Sequence, residues 1–274
     1  MAGTRRCSLF EVRMSRAMQS ISVATRFGRG RITSLAVVAL LTVTCSNGTG
    51  PDVAPAGALR VLFIGNSLTQ SNQLADMIEA IADSAGGRRI HTGQVTFGGL
   101  SLEDHWQHGD ALEAIDSRQW DVVVLQQGPS SLDASRAHLI EWSGAFSIRI
   151  RAAGAEPALY QVWPESDRRS VFDRVLDSYR LAAESVNGEL LPAGAAWIAA
   201  WQQDPNLQLY GPDGFHPSAM GTYLAAITIY AELLDRSAVG LPASISMGGS
   251  ATPIVALAPA HAAILQAAAD QVTQ

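Results

Sequence analysis

The sequence predicts an α/β domain built on a parallel sheet of about five strands, with helices on both faces. Three observations carry that expectation. The 274 residues are 47% hydrophobic and 16% charged, enough apolar material for one sizeable core rather than two domains or a disordered chain. From Leu59 onward, short runs of β-branched and aliphatic residues alternate with longer stretches whose apolar residues recur every three or four positions. The strand-like runs are also unbroken in hydrophobicity, as strands buried on both faces of a parallel sheet must be.

The first strand is Val61-Leu62-Phe63-Ile64, closed by Gly65 and Asn66. An amphipathic segment carrying Leu74, Met77, Ile78, Ile81 and Ala82 follows, so Ser67 falls at a strand-to-helix corner. A glycine just before it is expected to let a substrate approach the backbone closely. Residues 89–97 read as a second strand ending in Gly98-Gly99, and 102–115 as one helix. Residues 120–126 hold the strongest buried-strand signal, closed by Gln126-Gln127-Gly128-Pro129. Then come a helix over 137–153, a strand over 158–163 closed by Pro164, a helix over 169–186 and a short strand near Leu190. Residues 218–234 and 259–272 are the last two helices, and 237–255, rich in Gly, Pro and Ser, has no assignable element.

The amino-terminal part is of another kind. Every basic residue in the chain is arginine, and seven of the 19 precede the apolar run 35–43, against a single acid, Glu11. A basic start, an apolar run and small residues after it are the layout of an export signal peptide, too short for a membrane span; Met14 and Met18 offer later starts. Cys45 ends the run and is followed by a polar, Gly- and Pro-containing tether over 46–57. That arrangement resembles a bacterial lipoprotein signal, although Leu41-Thr42-Val43-Thr44 departs from the usual residues before the cysteine. The expectation is an exported protein of the bacterial envelope, either lipid-anchored through Cys45 or released to the periplasm or medium, with residues 58–274 as its one domain. Cys7, the only other cysteine, lies in the leader, so the body has neither an internal disulfide nor a cysteine metal site. Beyond Cys45 there are 12 arginines against 24 acids, and an acidic body without a basic stripe argues against nucleic acid as a partner.

In a parallel sheet every strand-to-helix loop opens on one edge, where ligand crevices form. That edge is expected to collect Ser67, Gly98-Gly99, Gln126-Gln127, Trp163 and the segment Asp213-Gly214-Phe215-His216-Pro217, which lies directly before a helix. Serine becomes a nucleophile when a base takes its proton and a third group orients the base. His216 is the best candidate base, and Asp213, three residues earlier, can reach its other ring nitrogen. Pro217 is expected at the first helical position or close to it. Each piece alone has a plain reading: Ser and Asn cap helices, and Asp-Gly is a good turn.

Together the motifs resemble those of the SGNH, or GDSL-like, hydrolase superfamily. Gly65-Asn66-Ser67-Leu68-Thr69 stands at the first block of that family, Gly98-Gly99 at the glycine block, the loop after 120–125 at the third, and Asp213 to His216 at the last. The resemblance implies a flavodoxin-like three-layer α/β/α sandwich and a serine esterase mechanism without metal or organic cofactor. It would make Ser67 the nucleophile, His216 the general base and then acid, and Asp213 the residue that orients the imidazole. The oxyanion hole would be the backbone N–H of Ser67, that of Gly98 or Gly99, and a side-chain amide from the third block. There the chain departs from the family, with Gln126-Gln127 where an asparagine is usual; Gln126 is the first candidate donor and Gln127 the second.

Asn66, His105 and Trp163 are expected to line the substrate pocket; Trp163 and Trp106 could stack on a sugar ring, yet core or rim packing suits each of them better. His105 and His108 lie one helical turn apart, yet packing, capping or substrate contact suits them better than metal. His91, His138 and His261 have no evident partner. The expected activity is an exported hydrolase of carboxylic esters that removes small acyl groups from carbohydrate, its substrate a small-molecule or polysaccharide ester. The competing readings are a lipase, lysophospholipase or thioesterase on the same triad, and a non-catalytic envelope protein that keeps the fold to bind glycans.

Overall fold

The structure, a computed structural model, describes residues 54–117, 119–246 and 252–273. Cys45, the leader and the tether up to residue 53 lie outside the described residues.

Strand β1 (Leu59–Gly65) is followed by the single-turn helix α1 (Ser67–Gln70) and by α2 (Leu74–Ala85). Strand β2 (Ile90–Thr96) leads to α3 (Leu102–His108) and α4 (Asp110–Asp116). The one helix expected over 102–115 is two, because Gly109 between them has φ +96°, a left-handed conformation that ends α3. Strand β3 (Val122–Leu125) precedes α5 (Asp133–Ala153), and β4 (Glu156–Tyr160) precedes a 3₁₀ stretch (Ser166–Val171) and α6 (Phe172–Ser185). After β5 (Glu189–Leu191) comes α7 (Ala193–Gln203), an element absent from the sequence expectation. Its Ala-rich sequence, Ala-Gly-Ala-Ala-Trp-Ile-Ala-Ala-Trp, is apolar on nearly every side and shows no amphipathic period. Helix α8 (Ala219–Leu234) and, at the end, α9 (Pro259–Val272) match expectation. The unassigned stretch holds a minimal antiparallel pair, β6 (Ser244–Ile245) with β7 (Val255–Ala256).

The main sheet is parallel throughout, in the order β2-β1-β3-β4-β5. Helices α2, α7, α8 and α9 form one packed group and α3 to α6 another, which makes the three-layer α/β/α sandwich. Val61, Phe63, Ile64, Val123, Val124 and Leu125 are fully buried, so the two central strands are apolar on both faces. The chain runs outward from β1 to β2 and then returns across it to β3. The strand order therefore reverses between β1 and β3, and the crevice of an open α/β sheet forms at their carboxyl ends. Ser67 follows one of these strands and Gln126-Gln127 the other.

Candidate active site

Ser67 opens α1 immediately after β1. Asn66 caps that turn, its Oδ1 accepting from the N–H of Leu68 at 3.1 Å, and Ser71 Oγ donates to the carbonyl of Ser67 at 2.6 Å. A short helix of four residues has little stability of its own. Its geometry is held by side-chain bonds instead.

The partner residues arrive on the loop before α8. Asp213 Oδ1 accepts from the backbone N–H groups of Phe215 and His216, both at 3.0 Å, which folds the segment into a tight turn. The β4-to-α6 connection pins this turn: Trp163 Nε1 donates to the carbonyl of Phe215 at 3.1 Å, and Ser166 N donates to that of Gly214 at 2.8 Å. Pro217 lies before the helix rather than in its first turn; Ser218 is the N-cap, accepting from Gly221 N. Asn72, between α1 and α2, donates through Nδ2 to the carbonyl of Pro217 at 2.9 Å and to Thr222 Oγ1 at 2.8 Å. Asn72 and Gln73 are both left-handed, with φ of 51° and 57°. Nothing in the sequence pattern marks Asn72, because its partners are far away along the chain.

These connections bring together residues 149 positions apart. His216 Nε2 lies 2.8 Å from Ser67 Oγ, and His216 Nδ1 lies 2.5 Å from Asp213 Oδ2. The hydrogen bond from the imidazole, joined by the two backbone donors, holds the Asp213 carboxyl down at about 2. An ionised carboxylate there keeps the hydrogen on Nδ1 and leaves Nε2 free to accept from the serine. Beside Ser67 opens a cavity of about 400 Å³ walled by Gly99, Leu100, Gln127, Ser130 and Phe215. The backbone N–H groups of Ser67, Gly98 and Gly99 donate to no described group. Unpaired donors beside a nucleophile are what an oxyanion requires.

No protein-family model matches the sequence, and no curated protein does. Solved structures do. A candidate SGNH hydrolase from Slackia heliotrinireducens is 26% identical, with a TM-score of 0.55 over 64% of this chain and 99% of that one. The chain belongs to the SGNH hydrolase superfamily. Two further solved structures share the fold: a DUF4886 family protein from Bacteroides uniformis, with TM-score 0.65 and 22% identity over 78% of this chain and 94% of that one, and a lipase/acylhydrolase from Enterococcus faecalis, with TM-score 0.51 and 17% identity over 64% and 95%.

Against the SGNH pattern, four sequence expectations need correction. Gln126 is no oxyanion donor: its Nε2 donates to Asn66 Oδ1 at 3.0 Å and to the carbonyl of Gln127, which uses both amide hydrogens. Its Oε1 accepts from Asn66 N at 2.8 Å and Thr69 Oγ1 at 2.7 Å, so this buried amide locks the corner that carries Ser67. Gly65 serves that lock rather than substrate approach. A Cβ on it would lie 2.4 Å from Thr69 Oγ1 and 2.5 Å from Gln126 Oε1. His105 does not line the pocket; it is 1% exposed, with Nε2 2.9 Å from the carbonyl of Gly65, and burial lowers its affinity for a proton. Trp163 is fully buried and stacked on Trp197 at 3.7 Å, so its service to the SGNH site is the bond to Phe215.

Asn66 and Gln127 do reach the cavity. Gln127 Oε1 accepts from Leu102 N at 3.2 Å and Nε2 donates to Ser130 Oγ at 3.0 Å. One amide hydrogen of Gln127 has no partner among the described residues.

Proposed function

We propose that the chain is a serine hydrolase of carboxylic esters that removes small acyl groups, acetyl above all, from carbohydrate. The observation that carries this reading is the continuous hydrogen-bonded series Asp213, His216, Ser67 beside free backbone donors. In the proposed reaction Ser67 Oγ attacks the ester carbonyl while His216 Nε2 takes its proton. Asp213 holds the imidazolium in place. The negative charge that develops on the carbonyl oxygen is met by the N–H of Ser67, that of Gly98 or Gly99, and the spare amide hydrogen of Gln127. His216 then gives its proton to the departing alcohol, and water, activated by the same imidazole, releases the acid and restores Ser67.

The openness of the site favours a bulky polar substrate. The His216 and Asp213 side chains are 38% and 51% exposed, so a polymer can reach them without a lid. A shallow cavity holding Ser130, Ser101 and Gln127 beside Leu100 and Phe215 offers a short acyl group more than a long chain. Export, with lipidation at Cys45 or simple release, belongs to the same proposal and rests on the leader sequence.

The test is hydrolysis of p-nitrophenyl acetate against long-chain p-nitrophenyl esters, together with labelling by an active-site serine phosphonate. Acetate cleavage and labelling, both lost in Ser67→Ala, support the proposal. A preference for long chains would move it to a lipase, and neither turnover nor labelling by the folded protein would end the hydrolase reading in favour of glycan binding.

A further inference from the structure

His138 stands on the wall of the same cavity, one turn along α5 from Ser135. Spacing in the sequence offers it no partner; the fold supplies one from α3. Its Nε2 lies 2.9 Å from Oε2 of Glu103, whose Oε1 accepts from Gln107 Nε2 at 3.0 Å. The imidazole also stands against Trp142, with ring centroids 6.3 Å apart. Because a carboxylate only accepts, the nitrogen facing it carries the hydrogen, and this fixes the tautomer of the uncharged imidazole as the one with its lone pair at Nδ1. No described group pairs with Nδ1. The carboxylate and the indole thus orient in advance an acceptor that no described group uses, and such preorganisation lowers the cost of binding a donor there.

We propose that His138, held by Glu103, is a specificity-determining residue that accepts a hydrogen bond from a free hydroxyl on the alcohol half of the ester. The inference rests on the ester-hydrolase reading and narrows it to partly acylated sugars and polyols. An acetyl group carries no donor, so the hydroxyl must come from the alcohol side. A site built to bond a hydroxyl disfavours the analogue that lacks it, since binding the analogue leaves a desolvated acceptor unpaired. A purely structural His138–Glu103 pair would make no such distinction, for exposed pairs contribute little beyond local order.

The experiment compares kcat/KM for glycerol 1-acetate and propyl acetate, which share the acyl group and the carbon count and differ only in hydroxyls. The folded wild-type protein is expected to prefer the hydroxylated ester. His138→Phe keeps a ring against Trp142 but removes Nδ1, and should cut that preference by about tenfold, the scale of one hydrogen bond. His138→Asn, whose amide oxygen can sit near the place of Nδ1, should restore part of it. An unchanged ratio in His138→Phe, or an equal loss on both esters, overturns the proposal while leaving Ser67-dependent hydrolysis intact. Absence of Ser67-dependent cleavage of either ester and of phosphonate labelling in wild-type protein is a different result: the hydrolase reading fails, and the role of His138 with it.

Discussion

Gln126 Oε1 lies 2.8 Å from the backbone nitrogen of Asn66, the residue before the candidate nucleophile. The same oxygen accepts from Thr69 Oγ1, so one side-chain amide ties the end of β3 to the two ends of the turn that carries Ser67. Gln126→Leu keeps much of the volume and removes the polar atoms. It leaves the N–H of Asn66 and the Thr69 hydroxyl buried without partners, each at about 1–3 kcal/mol. Urea unfolding should show a loss of about 2–4 kcal/mol, and a loss under about 0.5 kcal/mol would mean the amide is not a lock.

Asn72 performs the matching task between the nucleophile turn and the histidine loop, through its bond to the carbonyl of Pro217. Its φ of 51° lets the tether be tested without strain, because glycine adopts that conformation freely. Asn72→Gly takes the donor away from the Pro217 carbonyl and the buried Thr222 hydroxyl, and is expected to stay folded at a cost of about 1–3 kcal/mol. Turnover should nevertheless fall by about tenfold, in kcat more than in KM, as the Ser67–His216 geometry loosens. Unchanged kcat would show that the other bonds to the loop suffice.

Asp213→Asn separates the turn from the chemistry. The asparagine oxygen can still accept from Phe215 N and His216 N, so the fold should persist. The amide nitrogen then faces Nδ1 and favours the wrong tautomer of His216. A fall in kcat of about 10³- to 10⁴-fold is expected, the size of the corresponding loss in a serine protease. Because the Asp213 carboxyl is held at about 2, below its usual range, it stabilises the fold at pH values above about 4, and that contribution disappears as the pH falls towards 2. Loss of activity between pH 4 and pH 6 therefore belongs to groups other than Asp213.

Glu232 on α8 has the opposite linkage. Burial, with repulsion from Glu189 and Asp235 added, raises its carboxyl to about 7. A raised acid is most compatible with the fold below its unfolded value, near 4.5, and destabilises progressively as the pH climbs through 7. Glu232→Gln should leave stability at pH 4 nearly unchanged. At pH 8 it should add about 1 kcal/mol, once screening of the half-exposed group is allowed for. A melting-temperature gain that is equal at both pH values would exclude the carboxyl charge as its cause.

Most of the architecture was legible along the chain, because burial on both faces of a parallel strand requires continuous apolar runs such as Val122–Leu125, and surface helices require the period of α2. The helix α7 escaped for the same reason: an Ala-rich segment with apolar residues all round carries no period to read. Ser67, Asp213 and His216 could be named from local motifs, since strand-to-helix corners and an Asp three residues before a His are short-range geometry. The partners of Gln126, Gln127, His138 and Asn72 could not. Each depends on which backbone group or side chain arrives across 25 to 150 positions of sequence, and hydrogen-bond direction is decided by donors and acceptors meeting in space. Residue types alone determined a parallel α/β domain with a candidate nucleophile and base on one edge. Only the tertiary structure decided that one glutamine locks the corner while its neighbour keeps a hydrogen to spare, because a buried amide has two hydrogens and both of those on Gln126 are taken.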